Sequence, residues 1–107
     1  MHVIKEAHII LKENITSIRT VTEWAEKMGY ADRKKFSRAY RKKFGLRPKE
    51  VLQEMRVKKI QEYFRNYPAE KNYCTAIEFG FANDQGLYKF LKRHTGKTPT
   101  ELRKRIV

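Results

Sequence analysis

Between Arg33 and Phe44 the sequence places seven cations, Arg33, Lys34, Lys35, Arg38, Arg41, Lys42 and Lys43, and no acid. Asp32, just ahead of them, is the only acid between Glu26 and Glu50. Lys and Arg bind phosphate oxygens, and Arg can also form a paired hydrogen bond with the edge of guanine. The spacing decides whether such groups act together. At about 100° per residue on a helix, Phe36, Ala39, Tyr40 and Phe44 gather on one side. Lys34, Arg38 and Arg41 fall opposite, with Lys35 and Lys42 flanking them. Arg33 sits at the helix start, and Lys43 can run its stem past the apolar edge. One side packs and the other presents cation after cation. A second segment repeats the pattern: Leu87, Phe90 and Leu91 face inward, while Gln85, Lys89, Lys92 and Arg93 face outward. Gln can pair with the edge of adenine.

Other chemistries find little support. Cys74 is the only cysteine, which rules out an internal disulfide framework and leaves a redox pair or a Cys-based zinc site unsupported. His2, His8 and His94 have no spacing that converges on a metal. No Ser, His and Asp grouping and no Gly-rich phosphate loop appears. The chain therefore reads as a non-enzyme that needs neither metal nor cofactor. Trp24, Phe36, Tyr40, Phe44, Tyr63 and Phe64 read as core, and Tyr30 and Phe81 as wedges behind turn glycines.

The elements that must position the cations are helical. Apolar residues recur at three and four rather than at two across the 107 residues, and Gly and Pro are few. The formal charge of +13 attracts polyanions such as DNA, RNA or an acidic membrane surface. No apolar run approaches the length of a membrane span, and "MHVIKEAHIILKENI" is too charged for a signal peptide. A lone cysteine suits a reducing cytosol.

Seven helices are expected. The first covers Val3 to about Glu13 on a stripe of Val3, Ile4, Ala7, Ile10 and Leu11. Thr20 followed by Glu23 is a capping box, so the second starts near Val21 and stops at Gly29. Asp32 caps the third, which ends at Gly45. Pro48 opens the fourth, which runs to about Arg65. "NYPAEKN" is a break. The fifth covers about Tyr73 to Phe79, Asn83 caps the sixth, and Gly96 ends it near His94. Thr98 to Glu101 is a second capping box, and the seventh helix follows to the chain end.

Shifting the chain by 51 residues places Ala25 on Ala76, Gly29 on Gly80, Tyr30 on Phe81, Gly45 on Gly96, Pro48 on Pro99 and Glu50 on Glu101. One basic amphipathic helix is an ordinary solvated face. Two matched ones, each behind a Gly turn, form two helix-turn-helix plans, in which the second helix enters the major groove of DNA. The expected division is residues 1–47 for the first unit, 48–65 for a linker helix and 66–107 for the second unit. A linker of that length spans about 27 Å at 1.5 Å per residue. Successive major grooves lie about 34 Å apart. Both readers could then meet one face of a duplex, with DNA bending at a cost on the order of 1–6 kcal/mol if the spacing falls short. A rival explanation is a basic helical module for structured RNA or an acidic protein, which accounts for the charge but not for the repeat. A membrane-surface role fits less well, because the basic helices carry bulky residues on their inner faces.

The residues "TVTEWAEKMGYADRKKFSRAYRKKFGLRP", "PKEVLQEMRVKKIQEYF" and "TAIEFGFANDQGLYKFLKRHTGKTPTELR" resemble the DNA-binding domain of AraC/XylS-type bacterial transcriptional regulators. The likeness runs from about Val3 to Arg103, with Arg56 at the family's mid-linker arginine. It implies an all-α fold of two helix-turn-helix subdomains, a double-stranded DNA partner, transcriptional regulation and a place in the bacterial cytoplasm at the nucleoid. It implies Lys34, Lys35, Ser37 and Arg38 as base readers of the first unit, and Gln85, Gly86, Tyr88 and Lys89 at the matching positions of the second. Thr75 stands where the family prefers Ile, Asn83 where it uses Asp, Leu87 and Leu91 where it has aromatics, Lys89 where it has Arg, and Gly86 brings no side-chain donor. The first unit is therefore expected to carry more of the specificity. Recruitment or positioning of RNA polymerase is a further expectation. The family's N-terminal sensor or dimerisation domain is absent from this chain, which reads either as a lone activator or, preferably, as an excised C-terminal part.

Overall fold

Most breaks between helices are set by a residue that caps or by a glycine in the left-handed region. The structure, a computed structural model, describes residues 2–106. Among them lie seven α-helices: α1 (Ala7–Glu13), α2 (Val21–Met28), α3 (Arg33–Phe44), α4 (Pro48–Asn66), α5 (Asn72–Glu78), α6 (Asp84–Thr95) and α7 (Pro99–Ile106). No strand occurs among the described residues. The expected end of the last helix at Val107 lies outside them.

The expected caps form. Thr20 Oγ1 accepts from Glu23 N at 3.1 Å, and Glu23 Oε1 accepts from Arg19 N at 3.2 Å. At α7, Thr98 Oγ1 accepts from Glu101 N at 3.2 Å, and Glu101 Oε1 accepts from Thr98 N at 3.1 Å. Asp32 and Asn83 cap α3 and α6 through the backbone N–H groups of Lys35 and Gly86, at 2.9 and 3.0 Å. Each cap satisfies a donor that the first helical turn would otherwise leave open. Gly29 and Gly80 end their helices with φ of 88° and 85°, a region that costs an L side chain energy. The following residue closes the turn in the same way in both copies: Tyr30 N donates to Ala25 O at 2.9 Å, and Phe81 N to Ala76 O at 2.8 Å.

The first helix departs from expectation at its start. A 3₁₀ turn (Ile4–Glu6) precedes α1, and Val3 is exposed rather than part of the buried stripe. Val3 lies at the N-cap of that turn, where its N–H donates to Glu6 Oε1 at 3.2 Å. The apolar repeat marks which residues face the core but not where the first turn tightens.

The chain forms two compact units, Met1–Met55 and Arg56–Val107, so α4 contributes its first turns to one and its last turns to the other. In the first unit Leu11, Ile18, Trp24, Met28, Phe36, Tyr40 and Leu52 are all but fully buried. Large side chains of this kind stabilise by about 1.5–3 kcal/mol each when buried. Trp24 Nε1 donates to Ala7 O at 3.1 Å, which ties α1 to α2. His8 bonds to the Tyr40 hydroxyl and lies against Phe44, so it serves packing.

The core of the second unit is Ile60, Phe64, Ala76, Phe79, Leu87, Leu91 and Leu102. It also holds polar groups. Arg56 is buried between the rings of Phe81 and Phe90, 4.8 Å from each centroid, and its Nη2 donates to Phe79 O at 2.9 Å. Thr75 is fully buried. Its hydroxyl accepts from Arg103 Nη2 at 3.2 Å, while Arg103 also donates to Asn72 Oδ1 at 2.9 Å and stacks 4.1 Å over Phe64. Under the 51-residue shift, Thr75 and Arg103 occupy the places of Trp24 and Leu52. A polar pair thus stands where the first unit is apolar, and the hydrogen bond to Arg103 accounts for the tolerated threonine.

Candidate nucleic-acid interface

Phe36 and Tyr40 hold α3 against the first core, with Ala39 and Phe44 half-buried beside them. Phe36 meets Trp24 and Tyr30 ring to ring at 5.1 and 5.5 Å. With that side anchored, the opposite side carries Lys34, Arg38 and Arg41 into solvent, and Arg33 is exposed at the helix start. These four and the half-buried Ser37 form one wall of an open groove of about 480 Å³. The groove is closed by Val21 at the start of α2 and by Arg47, Pro48 and Lys49 at the start of α4. Six cations and no acid line it.

The first residues of α2 and α4, Val21 and Pro48, also line this groove, and a helix start carries partial positive charge. Asp32 caps α3 as an ionised carboxylate. Its carboxyl is held below the usual range chiefly by the hydrogen bond from Lys35 N, with the charges of Lys35 and Arg38 adding to it.

The second unit has a groove at seven of the nine matching positions. It is lined by Asn72, Asp84, Gln85, Tyr88, Thr98, Pro99 and Thr100, with a volume of about 390 Å³. Each follows its counterpart in the first groove by 51 positions: Val21, Arg33, Lys34, Ser37, Arg47, Pro48 and Lys49. Those seven positions are kept and the charge is not. Where the first groove has six cations, the second is lined by one acid and no cation.

Five of the residues expected in the first site, Arg33, Lys34, Ser37, Arg38 and Arg41, share that groove. Lys35 and Lys42 are exposed outside it. In the second unit Gln85 and Tyr88 line the groove, whereas Lys89, Lys92 and Arg93 are exposed beyond it. Gly86 is half-buried against the turn aromatic: a Cβ there would lie 3.3 Å from Phe81 Cβ. Arg47, Lys49, Asp84, Thr98 and Thr100 were not among the expected site residues. A helical wheel sees one element at a time, and these walls come from the start of the following helix or, for Asp84, from the first helical position. The repeat carried the signal, since Pro48 and Pro99 were already matched.

No group of His, Cys, Asp and Glu that could hold a metal ion occurs among the described residues. No helix among them is long and apolar enough to cross a membrane. Cys74 is free and exposed.

The model of a family described as "Helix-turn-helix domain" matches residues 42–105. No curated protein sequence matches the chain. Among solved structures, it is similar to a transcriptional regulator from Chromobacterium violaceum described as containing an AraC-type DNA-binding domain. The two share 18% identity and a TM-score of 0.74, over 97% of this chain and 91% of that one. It is also similar to the DNA-binding domain of AdpA, a global transcriptional factor, solved in complex with a target DNA. There the identity is 20% and the TM-score 0.73, over 98% of this chain and 93% of that one.

Proposed function

Because the chain belongs to the AraC-type helix-turn-helix family, we propose that it binds double-stranded DNA sequence-specifically in the regulation of transcription. The observation that carries this reading is the groove of α3. Four exposed cations of α3 converge there with Arg47 and Lys49 beside two helix starts. A convex helix edge with cations on both flanks fits a major groove bordered by phosphates.

In this reading α3 and α6 are the recognition helices, each in its own major groove. Lys34, Ser37 and Arg38 reach base edges in the first, with Lys35 beside them. Arg33, Arg41, Lys42, Arg47 and Lys49 hold phosphates. Gln85 and Tyr88 meet base edges in the second, with Lys89, Lys92 and Arg93 on the flanking backbone. Gly86 gives α6 its close approach to Phe81. Positioning of RNA polymerase at a bacterial promoter, within the cytoplasmic nucleoid, is the regulatory outcome that fits such a binder.

The test is competition at fixed salt between duplex DNA and duplex RNA of equal length. The major groove of A-form RNA is deep and narrow and does not admit a helix. A labelled DNA site selected from random duplexes should resist RNA competitor and yield to unlabelled copies of itself. Equal displacement by RNA would favour a generic polyanion binder.

A further inference from the structure

Asp84 occupies the first position of α6, where the first unit has Arg33. It lines the second groove beside Gln85 and is exposed. The capping of α6 does not need it, because Asn83 accepts the hydrogen bond from Gly86 N. Among the described residues its carboxylate makes no hydrogen bond or ion pair, and no cation lines the groove to neutralise it. Asp32, by contrast, is engaged by the backbone of its own helix.

An unneutralised carboxylate on a DNA-facing edge repels phosphate and needs a donor. Of the four bases, cytosine presents only an amine donor, N4–H₂, to the major groove. Adenine offers an amine with the N7 acceptor beside it, and guanine and thymine present acceptors. We propose, on the footing of the DNA-binding reading above, that Asp84 is a specificity-determining residue that selects cytosine by accepting a hydrogen bond from its N4 amine. The charge difference between the two grooves then has a purpose. The first clamps backbone through Arg33, Arg47 and Lys49, and the second is kept clear of phosphate so that a base edge can enter.

The experiment selects binding sites from random duplexes with the wild type, Asp84→Ala and Asp84→Asn. Affinities for the selected duplex and its single-base variants are then read by fluorescence anisotropy. Melting curves check that both variants stay folded. For the wild type, one cytosine in the half-site of the second unit should be required, with about a tenfold loss for other bases, the size of a typical mismatch. Asp84→Ala should flatten that position to within about twofold while the other positions keep their preferences. Asp84→Asn can donate as well as accept and should no longer separate cytosine from adenine. Uniformly tighter binding of Asp84→Ala to all duplexes would overturn the proposal, since the carboxylate would then only repel phosphate. An unchanged selected site would also overturn it, leaving Asp84 a first-turn charge that complements the helix dipole. Failure of the wild type to enrich any duplex would defeat the DNA-binding reading itself, and the proposal with it.

Discussion

Replacing Arg33, Arg47 and Lys49 together by Ala removes half of the cations that line the first groove. All three are exposed, and none makes a side-chain hydrogen bond or ion pair among the described residues. Folding should therefore be unaffected, which a melting curve checks. With each cation on one phosphate, the slope of log affinity against log salt becomes shallower by about 0.9 per residue, or about 2.7 in all. Raising salt from about 50 to about 200 mM is a fourfold change, and four to the power 2.7 is about 40. Over that range the affinity of the wild type should fall about 40-fold more than that of the triple variant. Anisotropy titrations at four or five salt concentrations measure the slopes. Thr100→Ala, the counterpart of Lys49 in the groove that no cation lines, serves as control and should leave the slope unchanged. A triple variant with the slope of the wild type would refute the assignment of these cations to phosphates. A Thr100→Ala slope shifted as far would refute the asymmetry between the grooves.

Three other outcomes follow from particular contacts. Arg38→Ala should cost about 1–3 kcal/mol on the selected site and relax one base preference; equal weakening on all sequences, in the same anisotropy assay, would demote Arg38 to a phosphate contact. Arg103→Ala removes the hydrogen bonds to Thr75 and Asn72 and the stack on Phe64. Leaving the buried Thr75 hydroxyl unpaired costs about 1–3 kcal/mol, so urea unfolding should show lower stability, and a variant as stable as the wild type would contradict the assigned role. Asp32 has a folded pKa below its ordinary value of 3.8, so its contribution is present above that pH and is lost as pH falls through the folded value. Asp32→Asn keeps a capping oxygen without the titration, so the stability gap between wild type and variant should narrow as pH drops below about 4; a gap independent of pH in acid unfolding curves would count against this.

Much of the architecture was legible because it is local. Caps depend on residues three apart, so Thr20 with Glu23, Thr98 with Glu101, Asp32 and Asn83 were readable without a fold. Gly29 and Gly80 announced their turns for the same reason. The wheel of α3 told Phe36 and Tyr40 from Lys34 and Arg38, since amphipathicity is a property of one element. What escaped lies between elements. Arg47 and Lys49 join the site only because the start of α4 returns beside α3. Arg103 reads as one more surface cation of a basic terminal helix, yet it stacks on Phe64 and bonds to Thr75. Gly86 reads as a weakened recognition helix, and its place against Phe81 appears only once the turn is folded. The opposite charge of the two grooves was present in the 51-residue repeat, at Arg33 against Asp84 and Lys49 against Thr100, but only the groove walls showed that these positions belong together.

The central claim is that the two repeats read one duplex through two major grooves. Methylation interference at guanine N7, an atom that faces the major groove, tests it most directly on a site selected from random duplexes. The account predicts two interfering patches whose centres are about 10 base pairs apart, one helical turn, on the same face of the DNA. A single patch, or two patches on opposite faces, would contradict it.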